Sequence, residues 1–235
     1  DVKSYLLKLK EAGLNSLPGT AAEILDDNVR EVICPDKINT NEWLNVIKAA
    51  HSIGLPTTST MMFGHVENYH DIAQHMHELK SLQLESNGIT EFVPLPYVAS
   101  EAPMYLRGLS RSGPSFRESV LVHSISRIYF NESIKNIQGS WVKMGYAGLS
   151  YLLDSGINDV GGILMNETIT RSAGATHGQE LDLIYIKNIV ESKNMKLIER
   201  NTKYDLLKEP TKADFDKLKL KLKDVNHFDQ ERSFT

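Results

Sequence analysis

The sequence predicts an α/β fold, a (β/α) barrel in which βα units repeat around parallel strands, on three observations. Helical and strand-like hydrophobic patterns alternate from one end of the chain to the other. Segments that follow strands are long and polar, notably 94–113 and 161–178, whereas those before strands are short, as at Ser86-Asn87-Gly88 and Ser155-Gly156. Loops after strands build the functional end of a barrel, which favours a barrel over a doubly wound sheet. Third, the stretch from Thr57 to Glu67 is a β-branched, methionine-containing run that ends in Gly64 and then a polar cluster, as a barrel strand does when it delivers side chains to a site. Its alternative is an ordinary βα turn whose polar residues cap the next helix.

The first helix is predicted over 2–12, with Val2, Tyr5, Leu6 and Leu9 on one face and Gly13 ending it. A short strand over 15–17 leads through Pro18-Gly19 to a brief helical piece at 21–25. Asn39 or Thr40 caps a helix running through Ile53, which turns Trp43, Leu44, Ile47 and Ala50 inward. The strand 57–63 follows, then a helix over 69–84 and a strand over 89–93. A helix over 114–130 is entered through a proline, and 136–142 reads as a strand. Next come a helix over 147–153, a glycine-rich strand end at 158–163, a helix over 180–191 and a strand at 196–199. That makes five or six βα units, short of the eight of a closed barrel. The expected division is barrel over 1–200 and a helical tail over 201–235. In that tail Lys212, Lys217, Lys219, Lys221 and Lys223 form a solvated face opposite Phe215, Leu218 and Leu222.

With 41% hydrophobic and 24% charged residues, the 235-residue chain has the composition of one soluble globular domain. A net charge of −4 gives no basic footprint for nucleic acid. No apolar run approaches the roughly 18 residues of a membrane span, so neither nucleic acid nor membrane is an expected partner and the cytoplasm is the expected compartment. A single cysteine, Cys34, cannot form an intrachain disulfide or by itself hold a metal cluster.

The motifs form an ordered series. Ser16-Leu17-Pro18-Gly19-Thr20-Ala21-Ala22-Glu23-Ile24 and Cys34-Pro35-Asp36-Lys37 precede Thr60-Met61-Met62-Phe63-Gly64-His65-Val66-Glu67. Glu91-Phe92-Val93-Pro94-Leu95-Pro96-Tyr97, Ser140-Trp141-Val142-Lys143-Met144-Gly145 and Asn158-Asp159-Val160-Gly161-Gly162 come after, then Met165-Asn166-Glu167 and finally Arg171 to Gln179. The 60–67 segment resembles the G-x-I-x-G-x-x-E motif of radical S-adenosylmethionine (SAM) enzymes, with Thr60 for the first glycine and Met62 for the isoleucine. Over about 13–179 the whole series resembles the tyrosine-using component of FO synthase, the 5-amino-6-(D-ribitylamino)uracil–L-tyrosine 4-hydroxyphenyl transferase family. Two relatives, aminofutalosine synthase and dehypoxanthine futalosine cyclase, share the Pro18-Gly19, Met61-Met62 and Gly64 landmarks. They differ at Thr20-Ala21 and at 92–96.

The resemblance implies a TIM-type radical SAM barrel and a transferase in the biosynthesis of a deazaflavin coenzyme. A 4Fe-4S cluster cleaves SAM to a 5′-deoxyadenosyl radical, and the hydroxybenzyl fragment of L-tyrosine is joined to the ribitylaminouracil. It assigns SAM to Glu23, Met62, Phe63, Gly64 and Glu67, with Gly64 and the 62–63 backbone along the adenine and Glu67 bracing the turn through backbone N–H groups. For Glu23, the competing reading is a carboxylate that starts a helix. Substrate contacts are implied for His65, Glu91, Trp141, Lys143, Asn158, Asp159, Glu167, Arg171 and His177. His65 is equally readable as a structural histidine, and Glu91 as pointing to the far end of the barrel. Arg171 is the choice for a carboxylate because its planar fork pairs with one bidentately.

One feature departs from that family: the Cys-x3-Cys-x2-Cys cluster motif is missing. The expectation is therefore a C-terminal part of the enzyme that lacks the N-terminal barrel strands, assigns no metal ligand of its own and is inactive alone. Its partners would be the missing barrel half and a second radical SAM subunit or domain. The alternatives are a menaquinone-pathway radical SAM enzyme and a non-catalytic barrel remnant that binds SAM or a partner chain.

Overall fold

A computed structural model describes residues 1–164, 167–176, 178 and 182–216. The chain opens with α1 (Val2–Glu11), capped by the Asp1 carboxylate on the Lys3 N–H at 2.8 Å. α2 (Asp27–Ile33) and α3 (Thr40–Ser52) follow. α3 starts in a reciprocal capping box between Asn39 and Glu42, both bonds being 2.9 Å, and buries Trp43, Ile47 and Ala50. β1 (Thr57–Phe63) alternates strictly between buried and half-buried residues. Then come α4 (Tyr69–Ser86), ended by Asn87 in the left-handed region, β2 (Ile89–Pro96) and the single turn α5 (Pro103–Leu106). α6 (Phe116–Phe130), α7 (Trp141–Leu153), the short α8 (Ile169–Ser172) and α9 (Leu183–Ser192) follow, and residues 212–216 are helical as well. β3 (Glu199–Arg200) and β4 (Leu206–Lys208) form a small antiparallel hairpin.

The barrel wall is a row of parallel segments in chain order. Leu17 bridges Thr57, β1 pairs with β2 from Thr57↔Ile89 to Phe63↔Pro96, Phe92 bridges Ile137, and Gln138 bridges Asp159. On one face of β1, Met61 and Phe63 are fully buried in a core shared with Trp43, Met76, Phe92, Phe130 and Leu149, under the helices. The other face, Thr58, Thr60 and Met62, stays half-buried. Among the described residues no helix is long and apolar enough to cross a membrane.

Several elements differ from the sequence expectation. Residues 21–25 are not helical, because their backbone is committed to β1: the Glu23 carbonyl accepts the Met62 N–H (2.9 Å) and the Gly19 N–H bonds Thr58 Oγ1 (2.9 Å). The helix begins later, where Asp26 caps the N–H groups of Asn28 and Val29. Only a bridge at 137–138 remains of the strand expected over 136–142, since Ser140 caps α7 and sends Trp141 and Lys143 into its first turn. Pro114 precedes the cap residue Ser115 of α6 instead of entering the helix. The expected strand at 158–163 is reduced to the Asp159 bridge, and 196–199 leads into the β3–β4 hairpin. The hairpin crosses residue 200, and the lysines from 217 onward lie outside the described residues.

Candidate functional site

The turn after β1 is built from backbone and carboxylate. Gly64 sits at φ +98°, and a Cβ there would lie 2.2 Å from Pro114 Cδ, so the close approach at this glycine is made by the chain's own loop. The Glu67 side chain, wholly buried, accepts the N–H groups of Gly64 (2.5 Å) and His65 (2.9 Å). His65 donates Nε2–H to the Met62 carbonyl (3.0 Å) and accepts the Val66 N–H at Nδ1 (2.8 Å). Burial lowers its pKa against the pull of Glu67, so the ring is neutral and both its nitrogens serve this turn. The Phe63 side chain is in the core and its carbonyl accepts the Tyr97 N–H at 2.8 Å, which leaves the side chain of Met62 on the half-buried face.

Sequence reasoning missed the residue that locks this turn. Arg111 donates to Glu67 Oε1 (3.0 Å) and to both oxygens of Glu118 (2.6 and 2.9 Å), and its own N–H bonds the His65 carbonyl (3.0 Å). The paired carboxylates push its pKa up further, so it is a permanent cation between two buried anions. The one available signal was the Ser-x-x-Glu spacing at Ser115–Glu118, a capping box whose Glu also meets Arg111.

The second strand-end loop carries Glu23. Ala21 and Glu23 both have positive φ (63° and 45°), a strained backbone that local ties must hold. Gly19 must be glycine there, since a Cβ would meet the Thr58 carbonyl oxygen at 1.8 Å. Buried Arg30 supplies the ties, clasping the carbonyls of Ala21, Ala22, Ile24 and Ile38. The Glu23 carboxylate itself reaches the Lys37 ammonium at 2.6 Å and remains partly exposed.

The remaining sequence candidates fall into separate groups. Glu91, third in β2, meets Gln138 (2.9 Å), the Tyr204 hydroxyl and Arg200 (3.6 Å), near the start of the strand and away from the strand-end turn. Burial raises its pKa, although Tyr204 donates to it. Asp159 pairs with the same Arg200, so the β3–β4 hairpin closes this end of the wall with a buried ion cluster that the sequence reading did not foresee. Asn158 is tied to the Ile137 N–H (2.9 Å) and Arg127 (2.8 Å). Trp141 is core, its indole N–H on the Gly162 carbonyl (3.2 Å). Glu167 accepts the Thr170 N–H at the start of α8 and acts electrostatically on Lys143, whose pKa burial lowers. Arg171 is exposed on α8, and His177 lies outside the described residues. Lys143 lines a pocket of about 360 Å³ between the end of β2, the start of α6 and the first turn of α7. Among the described residues no group of His, Cys, Asp and Glu could hold a metal ion.

Residues 86–213 match the family model of the CofH/MqnC C-terminal region, more than half of the chain, and residues 1–79 match the radical SAM superfamily model. The chain belongs to the CofH/MqnC family of radical SAM proteins. It is 48% identical over 207 residues to the 5-amino-6-(D-ribitylamino)uracil–L-tyrosine 4-hydroxyphenyl transferase of Methanococcus aeolicus, covering 88% of this chain and 57% of that protein. Identity to the Methanocaldococcus jannaschii transferase is also 48%, covering 88% of this chain and 58% of the relative. To the FO synthase of Nocardia farcinica it is 46%, over 86% of this chain and 24% of that protein. This CofH/MqnC chain thus spans little more than half the length of the transferases it matches. Its fold is similar to that of methylornithine synthase, at a TM-score of 0.65 and 17% identity, over 92% of this chain and 58% of that one. That likeness shows the fold alone, an α/β barrel of which this chain spans part.

Proposed function

We propose that this chain is part of a cytoplasmic radical SAM transferase that joins the 4-hydroxybenzyl group of L-tyrosine to 5-amino-6-(D-ribitylamino)uracil. The observation that carries the reading is 48% identity over 207 residues to relatives bearing that name, across both family matches. A 4Fe-4S cluster does not fit the residues present, because one cysteine stands where three ligands are needed. The cluster would need cysteine ligands that this chain does not supply.

SAM does fit: a braced glycine turn and a strained acidic loop lie side by side, joined by the Met62–Glu23 backbone bond. Glu23 would hold the polar groups of SAM, Gly64 and the 62–63 backbone would lie along its adenine, and Glu67 keeps that turn in shape through its two N–H bonds. When bound, SAM supplies the hydrogen-abstracting radical. The chain's part is to orient the reactants and exclude water.

The test is anaerobic reconstitution of the full-length protein with iron and sulfide, followed by assay for a tyrosine–uracil adduct. Its absence, or turnover of a menaquinone-pathway substrate instead, overturns the reading. In the same protein Glu23→Gln weakens SAM binding; unchanged SAM affinity removes Glu23 from the cofactor site.

A further inference from the structure

The outward face of α6 is apolar where an outer barrel helix is ordinarily polar. Along α3 the exposed line of residues is Asn41, Asn45, Lys48 and Ser52. Along α6 the same helical spacing gives Leu121, Ile125 and Ile128, all exposed, Ile128 at 78%. Arg117 stands one turn before them and Glu132 two residues past the helix end, both exposed. The opposite face of α6 already serves the core, since Val122, His123, Ser126 and Phe130 are buried. Phe116 and Tyr151, whose rings meet edge to face at 5.3 Å, widen the exposed patch towards α7. Single exposed apolar residues are ordinary, whereas a continuous row marks a contact surface.

We propose that this row is a dimer interface, in which α6 of one copy packs antiparallel against α6 of a second about a twofold axis between Ser124 and Ile125. The row is its own complement in that register. Leu121 falls opposite Ile128, Ser124 opposite Ile125, and Arg117 opposite Glu132, so one patch meets itself as a twofold interface requires.

The end charges select the occupant. Each stands at the unfavourable end of its own helix: Arg117 is in the first turn, where the macrodipole favours an anion, and Glu132 follows the last turn, where it favours a cation. Antiparallel pairing carries each to the opposite end of the partner helix and to the opposite charge. A second copy of the chain supplies both at the required spacing. The area is also sufficient: Phe116, Leu121, Ile125, Ile128 and Tyr151, each 45–78% exposed, offer about 600 Å² per copy and about 1,200 Å² per pair, the lower end of stable interfaces.

Completing the barrel would not cover this face. The parallel segments run from Leu17 through β1, β2 and 137–138 to Asp159, and α6 follows β2 in the middle of that row. Further strands add at its edges, away from α6.

The experiment is sedimentation equilibrium of the full-length protein at low salt. The wild type is expected as a reversible dimer, and Ile128→Asp is expected to weaken it about 100-fold, because each dimer then buries two unpaired carboxylates against Leu121. Arg117→Glu and Glu132→Arg, with far-UV circular dichroism unchanged, each weaken dimerisation about 10-fold by setting like charges face to face at both ends. Mixed together, these two variants form a heterodimer of wild-type affinity, since the reversed charges meet across the axis. A role confined to one chain could not be restored in this way. A monomeric wild type, association without a defined end point, a dimer insensitive to Ile128→Asp, or charge variants that fail to pair when mixed overturns the proposal.

Discussion

Replacing Gly64 by alanine tests whether the β1 turn is set by the chain itself. Two costs can be read from the structure. A non-glycine residue at φ +98° is strained by about 1–2 kcal/mol, and the new Cβ would stand 2.2 Å from Pro114 Cδ and 2.5 Å from its nitrogen, an overlap worth about 1–3 kcal/mol once the loop has shifted. Gly64→Ala is therefore expected to lose about 2–5 kcal/mol of unfolding free energy in urea, without change in m-value. The second cost vanishes when Pro114 does: in a Pro114→Gly background the same substitution should cost only the backbone share, about 1–2 kcal/mol, giving a coupling of about 1–3 kcal/mol in the double-mutant cycle. A loss below about 1 kcal/mol, or a coupling near zero, would refute the claim that Pro114 occupies the space beside Gly64. The turn's glycine would then have to be explained by the approach of a ligand.

Arg111→Met leaves Glu67 and Glu118 buried without their shared cation and should destabilise the protein by about 2 kcal/mol in the same urea assay, with Arg111→Lys recovering only part because an ammonium cannot fork between two carboxylates. His75 and His123 are wholly buried, with pKa values lowered by burial to about 3 and about 4, and Arg30 adds to the effect on His75. The unfolded chain thus binds more protons than the folded one below pH 6.5, and stability must fall as pH drops. The pair contributes a loss of about 3 kcal/mol between pH 6.5 and 5, and His75→Gln should remove about half of that slope in denaturation series run across this range. Cys34 is buried, and burial raises its thiol pKa, so alkylation by iodoacetamide at pH 8 should be slow in the native protein and rapid in denaturant; equal rates would show an exposed thiol.

Much of this fold is legible because it is encoded locally. The β-branched run at 57–63 and the helices over 2–12, 40–53 and 69–84 were readable from period and caps, since hydrophobic repeat and N-cap chemistry act over a few residues. The order of motifs also pointed to the family, which the CofH/MqnC and radical SAM matches establish. Where the reading failed, a tertiary partner or an unread cap had overruled the pattern. Residues 21–25 have the composition of a helix but give their carbonyls to Met62 and Arg30, and Trp141-Val142 looks like strand but follows the cap of Ser140.

The candidate site divides the same way. Sequence spacing alone placed Gly64, His65 and Glu67 on one turn, because they are neighbours in the chain. Only the tertiary structure could bring Arg111 onto Glu67 across 44 positions, Arg200 onto Glu91 and Asp159, and Lys143 to the wall shared with Tyr97 and Phe116. A charge in a loop has no periodicity to betray its partner, and its pairing is decided by where the packed strands and helices leave a buried anion that requires one.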